Sequence, residues 1–337
     1  MKLTNNEGHS LSIAVWLITD KYDQDPYPGQ KHISATSLLK PTRMIILTNR
    51  LKAAQSQAPD QTLFDIAQNI PNRLGTAIHS GVENAWLTNA EQALIDLGYP
   101  KQMAQRILVN PTSTELKMNP DCIPVYLENR SEKKLLGWII SGEYDFIGDG
   151  VLEDFKTTGV YSYMMGNKDT EHILQGSIYR WLNPDKITAD HMIIQYTFTD
   201  WSKLDAKIKK ARGYPQSRII PKKLHLQPLP EIENFIKLKL AELDSHDQTP
   251  EEALPYCQPE DLWQSATTYK YYMNPNNTKR SSGNFDNYPE AHNKMLEKGK
   301  GIVKEFPGKI RRCGYCAAFE ACTQKDIYVA NGTLQMP

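Results

Sequence analysis

The spacing of apolar residues changes period partway along this chain, and that change supplies a first map of it. In the first third the period is helical. Leu74, Ile78, Val82 and Ala85 recur every three or four positions, which predicts a helix with those residues on its core face. Gly75, His79 and Glu83, four apart, share an adjoining stripe. Pro71 is expected to separate this helix from one opened by Asp60, and Thr88 to Leu97 reads as a further helix. Upstream, Ser34 or Thr36 can cap a helix running towards Leu51. Ile13 to Ile18 reads as a strand followed by a turn region, Tyr22 to Pro28.

The period then becomes two. Ile123 to Glu128, Leu135 to Ile147 and Val151 to Thr157 read as strands joined by short turns, Gly148-Asp149-Gly150 being the last. Thr170 to Leu182 returns to a helix. A strand (His191 to Phe198), a basic helix (Lys203 to Arg212), a strand (Ile219 to Leu226) and an amphipathic helix (Leu229 to Leu243) follow. Asp247 to Arg312 reads as loop-rich and appended, with turn clusters at 274–277 and 281–284. The fold class expected is α/β (α+β), a mixed central sheet flanked by helices. The divisions expected are 1–70 as a helical lead-in, 71–246 as the core and 247–337 as a cysteine-containing C-terminal region.

Composition changes this picture only through its distribution. The chain has 337 residues, with 39 basic and 39 acidic side chains. Its longest apolar run, Ile13 to Ile18, is far below the roughly 20 residues a membrane span needs. The polar N-terminus does not read as a secretory signal, so a cytoplasmic protein without a membrane partner is expected. Zero net charge argues mildly against a polyanionic partner. The charges are segregated, however. Lys203 to Lys223 carries eight bases and one acid, and Lys294 to Arg312 seven bases and two acids. Ser141 to Asp154 carries Glu143, Asp145, Asp149, Glu153 and Asp154 and no base.

That acidic segment holds the candidate chemistry. Asp154 and Lys156, two apart on a strand, share a face, and a hairpin would bring Asp145 beside Asp154. Two converging carboxylates repel unless a cation sits between them, and hard oxygen ligands suit Mg²⁺ or Mn²⁺. Such an ion with a nearby lysine can activate a water against a phosphodiester. The alternative is an acidic hairpin at a sheet edge, with Lys156 in a cross-strand ion pair. Glu153 alternates to the other face and is excluded. Glu83, one turn after His79, is either a second-metal ligand, a hydrogen-bond partner of His79 or a solvated glutamate.

The run Gly142-Glu143-Tyr144-Asp145, then Asp154-Phe155-Lys156-Thr157-Thr158, then Gln175-x-x-x-Tyr179, preceded by Gly75-Thr76-Ala77-Ile78-His79, resembles the PD-(D/E)XK nuclease superfamily, in its RecB-like and phage-exonuclease branch. The likeness covers about residues 74–182. It implies a restriction-endonuclease-like core in which Asp145, Asp154, the Phe155 carbonyl and His79 hold Mg²⁺ or Mn²⁺. It also implies that Lys156 positions or deprotonates the attacking water and that Gln175 and Tyr179 border the substrate. The implied activity is a DNA exonuclease in recombination, repair or end processing, and a compact chain of phage or plasmid source. Related exonucleases can form rings around DNA, which leaves a homo-oligomer or a recombination partner protein open.

Five cysteines, an odd number, point to reduced thiols. Cys313-x2-Cys316-x5-Cys322 can bind one metal centre, with Cys257 as the fourth ligand and Cys122 as the fallback. The ending resembles superfamily members with a [4Fe–4S] cluster, where the fourth cysteine usually precedes the core. Zn²⁺ and unmetallated core thiols are the alternatives. Lys207, Lys209, Lys210, Arg212, Lys222 and Lys223 are the candidate nucleic-acid contacts. Tyr269, Tyr271 and Tyr272 around Lys270 either stack on unpaired bases or pack beneath the loop. No Walker A pattern occurs, so the chain does not power translocation. Two competing functions remain: a nucleic-acid-binding protein on a nuclease fold that does not cut, and a metal-stapled structural or partner-binding module.

Overall fold

The computed structural model describes residues 2–19, 27–55, 63–165 and 168–336. Asp60, expected to open a helix, and most of the 22–28 turn region lie outside the described residues. The chain forms two compact units, residues 1–39 with 60–240, and residues 40–59 with 241–337.

The first unit is a mixed α/β structure built on a seven-stranded sheet. Six strands follow the order Ile107–Val109, Ile123–Leu135, Trp138–Gly148, Val151–Thr158, His191–Phe198, Ile219–His225. The seventh, His32–Ser34, pairs in parallel with residues 139–141. The hairpin from Ile123 to Gly148 is longer than expected, because Leu136 and Gly137 both adopt positive φ (49° and 79°) and close a tight turn that pairs Leu135 with Trp138. The segment at 129–134, read as connecting chain, is therefore strand. Asp149 and Gly150 (φ 50° and 74°) close the next hairpin in the same way.

Helices cover both faces. Asp169–Leu182 buries His172, Gln175, Ile178, Tyr179 and Trp181 against the face that carries Leu152, Met192 and Ile194. Gly176 is placed there by necessity, since a Cβ would stand 2.2 Å from the Met192 sulfur. Ile232, Ile236 and Leu240 of Leu229–His246 are fully buried in the same unit. Ile70–Asp96 lies on the opposite face, where Trp86 packs against the buried cluster of Val125, Leu127 and Phe146 with Phe155.

Several local expectations are corrected. Pro71 opens the helix rather than dividing two, since the first turn has no need of its missing N–H. Leu74 is 43% exposed and Ala85 is exposed, so the inward stripe is Gly75, His79, Val82 and Trp86. Non-helical dihedrals at Asn89 (φ −144°) mark the junction near which a second helix was expected. Leu11–Ile18 is a helix, not a strand. Ser34 caps only Ala35–Leu38, because Pro41 stops it, and Thr42–Gln55 follows as a separate helix. The basic helix ends at Ile208, with a 3₁₀ turn at Lys210–Arg212 closed by Gly213 at φ 78°.

The second unit is more regular than its turn clusters suggest. Three antiparallel strands, in the order Gly283–Phe285, Thr268–Tyr272, Ile302–Phe306, carry the helix Tyr288–Lys298. The Asn- and Ser-rich clusters form the loop between the first two. Tyr271 and Tyr272 are buried, and Tyr269 meets Tyr288 edge-on at 5.9 Å, so these tyrosines pack rather than present a stacking surface. No helix among the described residues is long and apolar enough to cross a membrane.

Candidate active site

The sheet forks at its middle strand. Residues 146–148 of Trp138–Gly148 pair with 151–153, and residues 139–141 pair with 32–34 on the same side. Between them, Gly142 to Asp145 have no strand partner on that side among the described residues, and Asp154 onwards pairs only with His191–Phe198. Asp145 fills the missing rung. Its Oδ2 accepts the Phe155 N–H at 2.6 Å.

A second irregularity lies on the other side of the same strand. The ladder to Ile123–Leu135 skips between Leu127↔Phe146 and Asn129↔Tyr144, and Glu128 sits in the gap at φ 40°. Strict alternation would place Gly142 and Phe146 on one face. Instead Phe146 packs under Trp86, whereas Gly142 abuts Tyr179 on the opposite face. The strand thus turns over at Asp145, and a side chain there can be reached from both faces.

His79 arrives from the helix Ile70–Asp96. Its Nε2 is 3.2 Å from the Phe155 carbonyl oxygen, and its Nδ1 is 3.2 Å from Glu128 Oε1 and 3.5 Å from Asp145 Oδ1. His79, Glu128 and Asp145 offer ligand atoms within 4.8 Å of one another, the kind of donor set a divalent cation accepts. Glu128 escapes a reading of the sequence, in which it is only a strand end. Its left-handed backbone, invisible in the periodicity, is what turns it into the site. Asp154 is 1% exposed and its Oδ2 lies 2.6 Å from Lys156 Nζ. Glu153 points away and accepts a hydrogen bond from Gln195 at 2.9 Å.

The electrostatics are those of a crowded anionic centre. Burial, then the charge of Asp154, raises the Asp145 carboxyl to about 7, although His79 and Lys156 pull the other way. Burial opposes a charged His79, but its hydrogen bond to Glu128 and the charges of Asp145 and Glu128 outweigh that and hold it at about 9. Lys156 loses hydration by burial, yet Asp154 and Asp145 keep it above its ordinary value and charged. Without a metal, the proton on His79 and the ammonium of Lys156 supply the positive charge these carboxylates require. The donor set therefore fits a hard cation.

Gln175 and Tyr179 are buried, and Gln175 Nε2 donates to the Tyr179 hydroxyl at 2.8 Å. Burial, with the nearby Asp154 charge, raises the Tyr179 phenol far above its ordinary value. A cleft of about 300 Å³ opens beside the fork, lined by Ser34, Thr36, His79, Glu128, Arg130 and Tyr179 among others. His172, one turn before Gln175, is also buried. Desolvation, then the Lys156 charge, lowers it to about 4, so it is a neutral neighbour of the pair Asp154–Lys156. Glu83, half-buried on the same helix as His79, takes no part in the group formed by His79, Glu128 and Asp145.

The basic residues are dispersed. Lys207, Lys210 and Arg212 are exposed, and Lys209 pairs with Asp205 at 3.0 Å. Lys222 is bound to Asp169 at 2.7 Å, and Lys223, its strand neighbour, alternates to the other face. In the second unit Cys257, Cys313, Cys316 and Cys322 lie close enough to influence one another. Burial first, and then neighbouring groups that include the other three thiols, push Cys257 up to about 12. Burial, Cys316 and Cys322 raise Cys313 to about 11. Arg43, 1% exposed, donates from Nε to Cys322 Sγ at 3.3 Å and from Nη1 to the Leu254 carbonyl at 2.9 Å. Among the described residues, no three of these thiols have sulfur atoms all within 4.8 Å of one another. Cys122, the fallback, lies near Tyr126 in the first unit.

No protein-family model matches the chain, and no curated protein matches it. Solved structures with a likeness include SSO0001 (TM-score 0.38, 15% identity, over 66% of this chain and 80% of that one). An alkaline exonuclease, LHK-Exo, from Laribacter hongkongensis is similar at a TM-score of 0.36 and 9% identity, over 64% of this chain and 90% of that one. A phage related exonuclease from Haemophilus somnus 129PT is similar at 0.28 and 14%, over 65% and 94%.

Proposed function

We propose that the chain is a divalent-cation-dependent nuclease that hydrolyses phosphodiester bonds of DNA, acting as an exonuclease in end processing, recombination or repair. The observation that carries this reading is the fork. It brings Asp145, His79 and the Phe155 backbone together, with Asp154 and its partner Lys156 on the adjoining strand. An incidental acidic hairpin would sit at a solvated edge, whereas Asp154 is 1% exposed.

Asp145, Asp154, His79 and the Phe155 carbonyl would hold Mg²⁺ or Mn²⁺, which would act as a Lewis acid on the scissile phosphate. Asp145 and Asp154 orient that centre from the two arms of the fork. Lys156, 2.6 Å from Asp154, would position or deprotonate the attacking water and offset the charge that develops. Tyr179 lines the cleft as a neutral phenol, and Gln175 holds its hydroxyl from behind. The exposed Lys207, Lys210 and Arg212 would receive phosphates at a distance. In the second unit, Cys257, Cys313, Cys316 and Cys322 would hold a [4Fe–4S] cluster or Zn²⁺ as a staple.

The test is direct. End-labelled linear and circular DNA are incubated with Mg²⁺ or Mn²⁺ and wild-type protein, Asp154→Ala or Lys156→Ala. Loss of linear DNA alone, in the wild type alone, is the expected result. Cleavage without added metal, or full activity of Asp154→Ala, would refute the reading.

A further inference from the structure

We infer that Glu128 is a positioning residue: its carboxylate accepts a hydrogen bond from the Nδ1–H of His79 and thereby aims the Nε2 lone pair towards the Phe155 carbonyl and a cation shared with it. The inference rests on the cation-dependent reading above and adds to it a residue outside the recognised motif.

The geometry of the ring comes first. Both nitrogens have a partner at 3.2 Å, Glu128 Oε1 at Nδ1 and the Phe155 carbonyl oxygen at Nε2. An ionised carboxylate only accepts, so the hydrogen of the first contact belongs to Nδ1. A neutral ring then has no hydrogen left for Nε2. Two lone pairs, on Nε2 and on a carbonyl oxygen, face one another across 3.2 Å, an arrangement that requires a positive centre shared between them. A divalent cation bound by both would supply that centre. Metal-bound imidazoles characteristically give their other N–H to a carboxylate, which fixes tautomer and ring orientation.

The backbone supplies the second observation. Glu128 adopts φ 40°, a region that side-chain-bearing residues enter at a cost of order 1–3 kcal/mol. It does so where the strand ladder is interrupted, and its side chain is 14% exposed. A glutamate that added only to packing would not need this conformation. Here the left-handed turn brings the carboxylate to His79. Asp145 Oδ1 is the more distant acceptor at 3.5 Å, and Asp145 Oδ2 is already engaged by the Phe155 N–H. Glu128 is therefore the nearer acceptor for the Nδ1–H.

The test uses the full chain and Mn²⁺ alone, with affinity read by electron paramagnetic resonance or calorimetry at one fixed pH. Glu128→Ala is expected to weaken Mn²⁺ binding about 10- to 100-fold. Glu128→Gln, which keeps an acceptor oxygen, should recover part of that loss. In a His79→Ala background, Glu128→Ala should change nothing further, because Glu128 acts through the ring. Nitrogen-15 and proton spectra of the Mg²⁺-loaded protein should show the His79 Nδ1–H protected from solvent exchange in the wild type and exchanging faster in Glu128→Ala. Glu128→Gly, relieved of the strained φ, should melt no lower than the wild type while losing Mn²⁺ affinity. Wild-type affinity in Glu128→Ala would overturn the inference. So would an undiminished loss in the His79→Ala background, which would make Glu128 a direct ligand. Either result, with cleavage intact in the wild type and absent in Asp154→Ala, would leave the nuclease reading standing.

Discussion

Replacing Gly142 with alanine probes how tightly the fork is built. Gly142 is buried in a strand, and a Cβ there would lie 2.7 and 2.8 Å from two Tyr179 ring carbons and 2.9 Å from a Leu182 methyl. Carbon atoms pack best at about 3.5–4.0 Å, so the ring must retreat by about 1 Å. Tyr179 cannot slide freely, since its hydroxyl takes a 2.8 Å hydrogen bond from the buried Gln175. Overpacking costs about 1–3 kcal/mol, and a stretched or broken hydrogen bond adds about 1 kcal/mol. The entropic gain of alanine over glycine returns about 0.5–1 kcal/mol. The net loss expected is about 1–3 kcal/mol, or several degrees of Tm for a unit of this size. Thermal unfolding of Gly142→Ala, Tyr179→Val and the double variant forms the assay. With the ring removed, the alanine should cost clearly less, the Leu182 methyl alone remaining in its way. If Gly142→Ala melts with the wild type, or costs the same in both backgrounds, the close approach of Tyr179 is not what fixes glycine there.

Lys156→Met should lower single-turnover DNA cleavage about 10²- to 10⁴-fold while Mn²⁺ affinity holds or rises, because the cation then compensates Asp154 alone; abolished Mn²⁺ binding would contradict this. In metal-free protein, His79 is held above its unfolded value and so stabilises below about 6.5, an effect that disappears as pH rises through 9. Asp145 is also raised, so its neutral form favours the fold and that contribution falls away between about 4 and 7. Both signs agree: chemical denaturation should show the first unit losing stability from pH 4 to 9, by on the order of a few kcal/mol, and Mg²⁺ should flatten the slope. Cys313→Ala with Cys316→Ala should lower the melting temperature and abolish metal content, and absorbance near ~400 nm in anaerobic wild type would separate iron–sulfur from zinc. Lys207→Ala, Lys210→Ala and Arg212→Ala together should flatten the salt dependence of DNA binding, the slope falling by about 0.7–0.9 for each phosphate no longer neutralised.

What could be read from the sequence follows where the physics is local. His191–Phe198 has alternating burial along its whole length, and that alternation delimits it to the residue; Asp169–Leu182 has a single wide apolar face. Asp145, Asp154 and Lys156 stand out because two carboxylates facing one another across the adjacent strands of a hairpin are an electrostatic oddity. The parts that escape depend on distant partners. His32–Ser34 is three residues long and is strand only because residues 139–141 lie beside it. The helix carrying His79 meets the sheet through a narrow stripe of Gly75, His79, Val82 and Trp86, so its more numerous leucines and alanines mislead the choice of face. Glu128 escapes because a positive φ in a non-glycine residue leaves no compositional trace.

The fork has a mechanical meaning of its own. Where two strands diverge, the sheet has no backbone tie across the gap, and one side-chain bond from Asp145 to the Phe155 amide stands in for it. A cation seated there would be a cross-brace between the two arms. The angle between them would then stiffen on loading, and the amides of 143–145 and 154–156 would exchange their hydrogens more slowly with metal than without it. The residues proposed to hold the cation would then also be a clasp that closes the sheet.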